Sequence, residues 1–348
     1  MVLREPNVLV PDVAEYVPGR PLIFRDLSWA EREPYLAVEI FDDVSGVLVP
    51  SEKVHRVQLS PGAFIGLDTR ARVLADAGVS VEKYCGGYSV ASTVRSGFYG
   101  VPCPEHAVIV KGKQCARCVG RDEFSVMHVV HRGARVSDAV RAYAGLEHWL
   151  YVATFPDGSS KVGTCSLVSR SRRLDEQAVA CATYVACARD GLQVRVLEDV
   201  VSREASLPQG KLVSAKFRAW SDALPMGQLR EAHDEAVALA QWVLREAAVL
   251  DGLLDEGQII SERWVPSTAM GAAYRALDAD SGERLSGYPS LWGAVSGFYV
   301  CGATGKFVVG HCGDERVRLV FNMAELVNRA MVPSWEAPVQ PHVQASLF

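Results

Sequence analysis

Apolar and polar positions alternate along this chain in runs that change period several times. Glu147-His148-Trp149-Leu150-Tyr151-Val152-Ala153-Thr154-Phe155 is apolar and rich in β-branched and aromatic residues. Pro156-Asp157-Gly158-Ser159-Ser160 follows with turn chemistry, then Lys161-Val162-Gly163-Thr164-Cys165. That pattern predicts a β-hairpin. Ser169 to Ala178 begins small and polar, turns basic at Arg170, Arg172 and Arg173, and reads as a helix start. Val194 to Asp199 leads into another strand or helix. Ser137 to Leu146 reads as a short amphipathic helix. From Gly227 to Leu250, the residues Leu229, Ala236, Leu239, Ala240, Val243, Ala247 and Leu250 recur mostly at steps of three and four. That spacing predicts a long helix with one apolar face, packed on a sheet and stopped at Gly252.

The two ends read as β structure. Prolines 6, 11, 18, 21 and 34 break the N-terminal stretch into short pieces. Phe41 to Val49 predicts a hairpin, and Val54 to Leu59 and Ala63 to Leu67 predict strands. Leu291 to Leu326 predicts a β unit with a hairpin turning at Gly302-Ala303-Thr304-Gly305. The fold class expected is α+β. The expected divisions are a β-rich region at 1–84, a cysteine knuckle at 85–134, a small α/β core at 135–206, a helix with a β unit at 207–330, and a flexible tail at 331–348.

Hydrophobic residues make up 49% of the 348 and charged residues 22%, an ordinary soluble composition. No apolar run reaches membrane-spanning length and the first residues lack a signal-peptide pattern, so a cytoplasmic protein with no membrane partner is expected. There the nine cysteines serve as thiols or metal ligands rather than disulfides. The net charge is −5, yet residues 111–173 carry eleven Lys and Arg against five acids. Such a patch is either a phosphate-binding surface or a solvated face balanced by acids nearby in space.

Cys103-Pro104-Glu105-His106, eight residues, then Cys115-Ala116-Arg117-Cys118 gives two ligand pairs, each spaced by two. Zn2+ favours tetrahedral sets of thiolate and imidazole, and two tight turns can supply one. We therefore expect structural zinc on Cys103, His106, Cys115 and Cys118. His128 and His131 are near enough to replace His106. Cys85-Gly86-Gly87 reads as a knuckle remnant without a partner cysteine. Cys165, Cys181 and Cys187 read chiefly as buried thiols. Cys301, His311 and Cys312 lack a fourth ligand and read better as core residues.

The 147–198 stretch resembles the core of the GIY-YIG nucleases. In that family a Tyr-bearing strand pairs with a second strand ending in Gly, a helix supplies an Arg, and a later helix supplies a metal-binding Glu. Trp149-Leu150-Tyr151 stands at the first triplet and Lys161-Val162-Gly163 at the second, with Trp149 in place of Gly and Lys161 in place of the second Tyr. A wider resemblance, from Cys85 to Phe321, is to a family of uncharacterised bacterial and archaeal zinc-knuckle proteins with no settled activity. The nuclease resemblance implies that Tyr151 positions the nucleophile, Arg172 grips the phosphate with Arg170 and Arg173 beside it, and Glu198 holds Mg2+ or Mn2+. Lys161 is a polar substitute for the missing Tyr, or the mark of a core that has lost cleavage. Gly163 and His148 complete the expected substrate-binding set, though His148 also reads as a strand-end histidine.

The last residues, Gln344-Ala345-Ser346-Leu347-Phe348, resemble the peptide by which bacterial polymerases and repair proteins bind the sliding clamp. Gln344 would hydrogen-bond and Leu347 and Phe348 would enter an apolar groove. Three functions follow as expectations: a clamp-tethered, metal-dependent DNA endonuclease; a nucleic-acid-binding protein with a degenerate nuclease core; or a small-molecule or modification enzyme on the same fold.

Overall fold

Alternation and turn residues place most strands close to where the pattern predicts them. The structure, a computed structural model, describes residues 20–92, 97–128, 130, 133, 135–278 and 280–336. Gln344, Leu347, Phe348, His131 and the side chain of His128 lie outside the described residues.

The strands are β1 (Leu22–Ala30), β2 (Glu33–Val44), β3 (Val47–Gln58), β4 (Phe64–Asp68), β5 (Lys83–Tyr84), β6 (Tyr88–Ser92), β7 (Gly97–Val101), β8 (Val108–Ile109), β9 (His148–Thr154), β10 (Ser160–Ser166), β11 (Cys181–Ala188), β12 (Ile259–Arg263), β13 (Leu285–Gly287), β14 (Val295–Thr304), β15 (Phe307–His311), β16 (Arg318–Asn322) and β17 (Arg329–Pro333). The α-helices are α1 (Ala71–Asp76), α2 (Ala116–Val119), α3 (Asp138–Ala144), α4 (Arg170–Arg173), α5 (Gly191–Glu204), α6 (Val213–Ser221), α7 (Met226–Val243) and α8 (Gly271–Arg275). Helices and strands both contribute, with mainly antiparallel pairing, so the class is α+β. Val194 to Asp199 proves to be the middle of α5, whose start is capped by the Asp190 side chain. α7 runs on into a π-helical turn at Leu244–Val249.

The larger sheet runs β13-β16-β15-β14-β4-β17-β1-β2-β3, with β5 and β8 appended beside β17. The N-terminal and C-terminal β stretches, expected as separate regions, therefore share one sheet. Residues 331–333, expected in the tail, belong to β17, which is paired with β1 and β4. Phe24, Leu36, Leu67, Phe298, Leu319 and Phe321 from five of these strands meet in one cluster, so the sheet curves about its own apolar face. Phe298 and Phe321 stack with ring centroids 3.8 Å apart. Each fully buried side chain of this size contributes about 1.5–3 kcal/mol.

The smaller sheet is antiparallel, in the order β10-β9-β11-β12. Both its faces are covered, which explains why β9 is apolar throughout rather than alternating. Leu150, Val152 and Val162 pack against Val194, Leu197 and Val201 of α5 and Val237, Ala240 and Val243 of α7. Trp149, Tyr151, Ala153 and Phe155 point the other way, into a cluster with Leu174, Tyr184 and Ala219.

The two sheets are tied together at Asp175. Its fully buried carboxylate accepts from Arg32 Nη2 at 2.8 Å and Arg32 Nε at 3.1 Å. Beside it the tip of the β14–β15 hairpin comes down on Ala178. Gly305 there has φ +57°, and an added Cβ would lie 2.5 Å from the Ala178 Cβ. Only glycine fits, and its carbonyl accepts from Trp29 Nε1 at 2.9 Å. This contact places Lys306, the next residue, beside the smaller sheet.

Candidate functional site

Two groups of chemically capable side chains stand out. The first is a thiol cluster. Cys85 leaves β5, Cys103 follows β7, Cys115 caps the start of α2 and Cys118 lies within it. Their four sulfurs all lie within 4.8 Å of one another, with Cys103 and Cys115 at 3.9 Å. A tetrahedral site with Zn–S bonds of about 2.3 Å sets its sulfurs roughly 3.8 Å apart, so the donor set fits zinc closely. The Cys115 amide also donates to Cys85 Sγ at 3.1 Å, which would help hold a thiolate there. Arg117 pairs with Glu105, joining the two arms.

The cluster differs from the expected set in one member. Cys85 is the fourth donor, and His106 is outside, facing Glu52 with 3.5 Å between Nε2 and the carboxylate. Sequence spacing misled here because the first pair of the site is not a local pair. Cys85 and Cys103 stand at the ends of different strands, and the paired β5 and β8 help fold the loops together. Cys301, His311 and Cys312 form no such cluster; Arg318 donates to Cys301 Sγ, and His311 stacks on Tyr299.

The second group surrounds the β9–β10 hairpin. Tyr151 sits directly opposite Gly163 in the ladder. A Cβ on Gly163 would lie 2.6 Å from the Tyr151 ring carbon Cζ and its hydroxyl, so the missing side chain lets the phenol lie across β10. Tyr151 is wholly buried, and its hydroxyl makes no hydrogen bond among the described residues. Arg173 faces the phenol: its charge interaction with Tyr151 is the first cause that raises the guanidinium above its usual value. Arg172, expected to grip phosphate, instead points outward and pairs with Glu176. Arg170 stacks between Trp149 and Tyr184, 4.5 and 4.7 Å from the ring centroids, and pairs with Glu262.

Lys161 is buried beside Tyr151, its Nζ 5.6 Å from the ring centroid. It donates to Gln177 Oε1 at 2.9 Å, and Lys216 Nζ donates to the same oxygen at 2.9 Å. Lys211 and Lys216 both lie over the Phe155 ring, at 4.7 and 5.4 Å. Burial first, then the charges of Lys161, Arg173, Lys306 and Lys211, pull the Lys216 amine down to about 7. Lys211 is held by Asp157 and Ser159, and Lys306 by Asp26 and the Leu27 carbonyl. Gln177, Lys211 and Lys216 carried no signal in the sequence, since they come from a 3-10 turn, a loop and α6.

Glu198 lies on α5, which packs on the sheet face opposite Tyr151. Its carboxylate accepts from Arg195 Nη1 at 2.6 Å and is buried. Burial pushes it above the ordinary carboxylate value, against the pull of Arg195 and then Lys161. Lys161 is thus the link between the two faces, adjoining Tyr151 and acting on Glu198. His148 stands apart from this group. It pairs across β10 with Ser166, while Lys161 pairs with Ala153 five residues along, roughly 17 Å away. Its Nδ1 meets the Leu146 carbonyl at 2.8 Å, and burial lowers its pKa. Burial likewise drives the Cys165 thiol up to about 12, so it packs as a neutral group.

The group does not fit Mg2+ or Mn2+. Those ions take oxygen ligands, and the Glu198 carboxylate is engaged by one cation and faces a second. Among the described residues the four cysteines are the one cluster of three or more possible ligands. No helix among the described residues is long and apolar enough to cross a membrane.

Comparisons with protein-family models, with curated proteins and with solved structures find no match to this chain.

Proposed function

We propose that this protein binds nucleic acid without cutting it, through a nuclease-like core braced by a structural zinc centre. The observation that carries the reading is the convergence of Lys161 and Lys216 on one neutral oxygen of Gln177, beside Arg173 and Tyr151. Buried cations that share a neutral acceptor are suited to an anion, and phosphate is the anion nucleic acids offer. The zinc reading rests on the four sulfurs, Cys85, Cys103, Cys115 and Cys118. Four thiolates close a tetrahedral shell, so the ion would hold the loops together and take no substrate. The terminal peptide Gln344-Ala345-Ser346-Leu347-Phe348 favours DNA, and a sliding clamp as the partner that brings the protein to it.

The order Tyr151, Gly163, Arg173, Glu198 along strand, strand, helix and helix favours a second reading, the metal-dependent endonuclease. The pairing of Glu198 with Arg195 argues against it. One experiment separates the two: labelled single-stranded, duplex, flap and forked DNA, titrated with the full chain at roughly 50 and 200 mM salt, with and without added Mg2+ or Mn2+. The binding reading expects affinity that falls steeply with salt, is indifferent to the added ion, and leaves every strand intact. Ion-dependent cutting that Glu198→Ala and Tyr151→Phe both abolish would establish the nuclease instead. An absence of any salt-dependent affinity would end both readings.

A further inference from the structure

The Lys161–Lys216 pair is more specific than a basic surface. Each ammonium is 2.9 Å from the same Gln177 oxygen, so the two nitrogens are at most 5.8 Å apart. Neither forms an ion pair with a carboxylate among the described residues. The nearby acids pair with other cations, Asp157 with Lys211, Asp26 with Lys306, Glu198 with Arg195, and Glu176 with Arg172 and, at 4.0 Å, Arg173, so the flanking Lys211 and Arg173 are partly balanced while Lys161 and Lys216 are not. Each ammonium carries three donor hydrogens and one is used on Gln177, so the pair presents unspent donors as well as unbalanced charge.

We propose that Lys161, Lys216 and the flanking Lys211 and Arg173 form a pocket for a phosphomonoester, the terminal phosphate of a nucleic-acid strand. The choice of a chain end follows from burial. Lys161 is only 5% exposed, so a continuous backbone running over the surface cannot reach it, whereas a single terminal phosphate would approach by way of the partly exposed Lys216. A phosphomonoester also carries about −1.5 to −2 charge near neutral pH, against −1 for an internal diester, and matches two ammoniums better. The low Lys216 pKa is what a site without its anion would display, and a bound dianion would raise it. The nucleic-acid source of the phosphate rests on the function proposed above; the pocket itself does not.

The test compares one single-stranded oligonucleotide with a 5′-phosphate, a 3′-phosphate or two hydroxyl ends, by fluorescence anisotropy on the full chain, with inorganic phosphate titrated separately by calorimetry. One phosphorylated end should bind roughly tenfold or more tighter than the hydroxyl form, a gap that corresponds to about one strong charged contact. Lys216→Gln, a polar replacement at a partly buried position that should fold, is expected to erase that gap, and Lys161→Met to do the same if it folds. Inorganic phosphate bound by the wild type and lost in Lys216→Gln, with no oligonucleotide binding, would support the pocket and overturn the nucleic-acid reading. Equal affinity for all three ends, with no uptake of inorganic phosphate, would overturn the pocket and leave general nucleic-acid binding standing.

Discussion

Arg195 Nη1 lies 2.6 Å from Glu198 Oε2, one turn apart on α5, and both side chains are largely buried. The carboxylate to which the nuclease resemblance assigns a metal ion is here paired from within its own helix. Burial raises the proton affinity of Glu198, and Arg195 opposes that shift, so the pair is held by mutual need rather than by surplus stability. Glu198→Gln should keep the helix yet strand Arg195 without its charge partner. We expect a loss of roughly 1–3 kcal/mol in urea-induced unfolding. Arg195→Met should cost more, because it leaves the buried carboxylate uncompensated.

The thiol cluster predicts metal content residue by residue. Gently purified protein should carry about one zinc per chain by elemental analysis. Cys85→Ser should lose it as fully as Cys103→Ser, whereas His106→Ala should retain it, since His106 faces Glu52 and not the sulfurs. Retention of full zinc by Cys85→Ser would refute the assignment. Removal by a chelator should unfold the 85–120 loops first, because binding energy and local folding are one quantity in such sites.

His233 bridges the smaller sheet from α7. Its Nδ1 meets Thr154 Oγ1 and its Nε2 meets Thr183 Oγ1, each at 2.8 Å, and the ring is buried. Burial is the main reason its pKa falls to about 4. An unfolded histidine titrates near 6.5, so on acidification the unfolded chain takes up the proton first. Stability is therefore fully present above about pH 6.5 and is lost as pH falls toward 4, by up to about 3 kcal/mol. Unfolding free energies measured across that range should show this slope in the wild type. A His233→Gln variant should be less stable at pH 7 and should lack that part of the slope.

Gly163 carries a packing prediction. A methyl group there would meet the Tyr151 ring at 2.6 Å, and that ring has nowhere to retreat, being sealed by the Trp149 to Tyr184 cluster. Gly163→Ala should cost about 1–3 kcal/mol. Tyr151→Phe removes the buried hydroxyl that Arg173 faces and should cost up to about 1 kcal/mol in the same melts. Recovery of stability in the double variant Gly163→Ala with Tyr151→Leu would confirm that the clash is with this ring.

Much of the local structure was legible in the residues. The β9–β10 hairpin, the capped α3, the long α7 and the β14–β15 hairpin follow from period and turn chemistry, which act over a few residues. Three of the four sulfurs were legible from the Cys-x-x-Cys pair and the Cys103 that precedes it. Tyr151, Gly163 and Lys161 were legible as one group because strand register alone sets them face to face.

The sequence by itself determined which segments form helices and strands, because hydrophobic period and turn residues are local properties. The tertiary structure decided which residues meet. It joined β1 to β17 across about 300 residues, replaced His106 by Cys85, paired Arg172 with Glu176 and set Arg173 against Tyr151, and set Lys216 beside Lys161. No spacing rule carries that information. Contacts between distant segments are fixed by the packing of whole apolar faces, and a charged side chain goes wherever that packing leaves it.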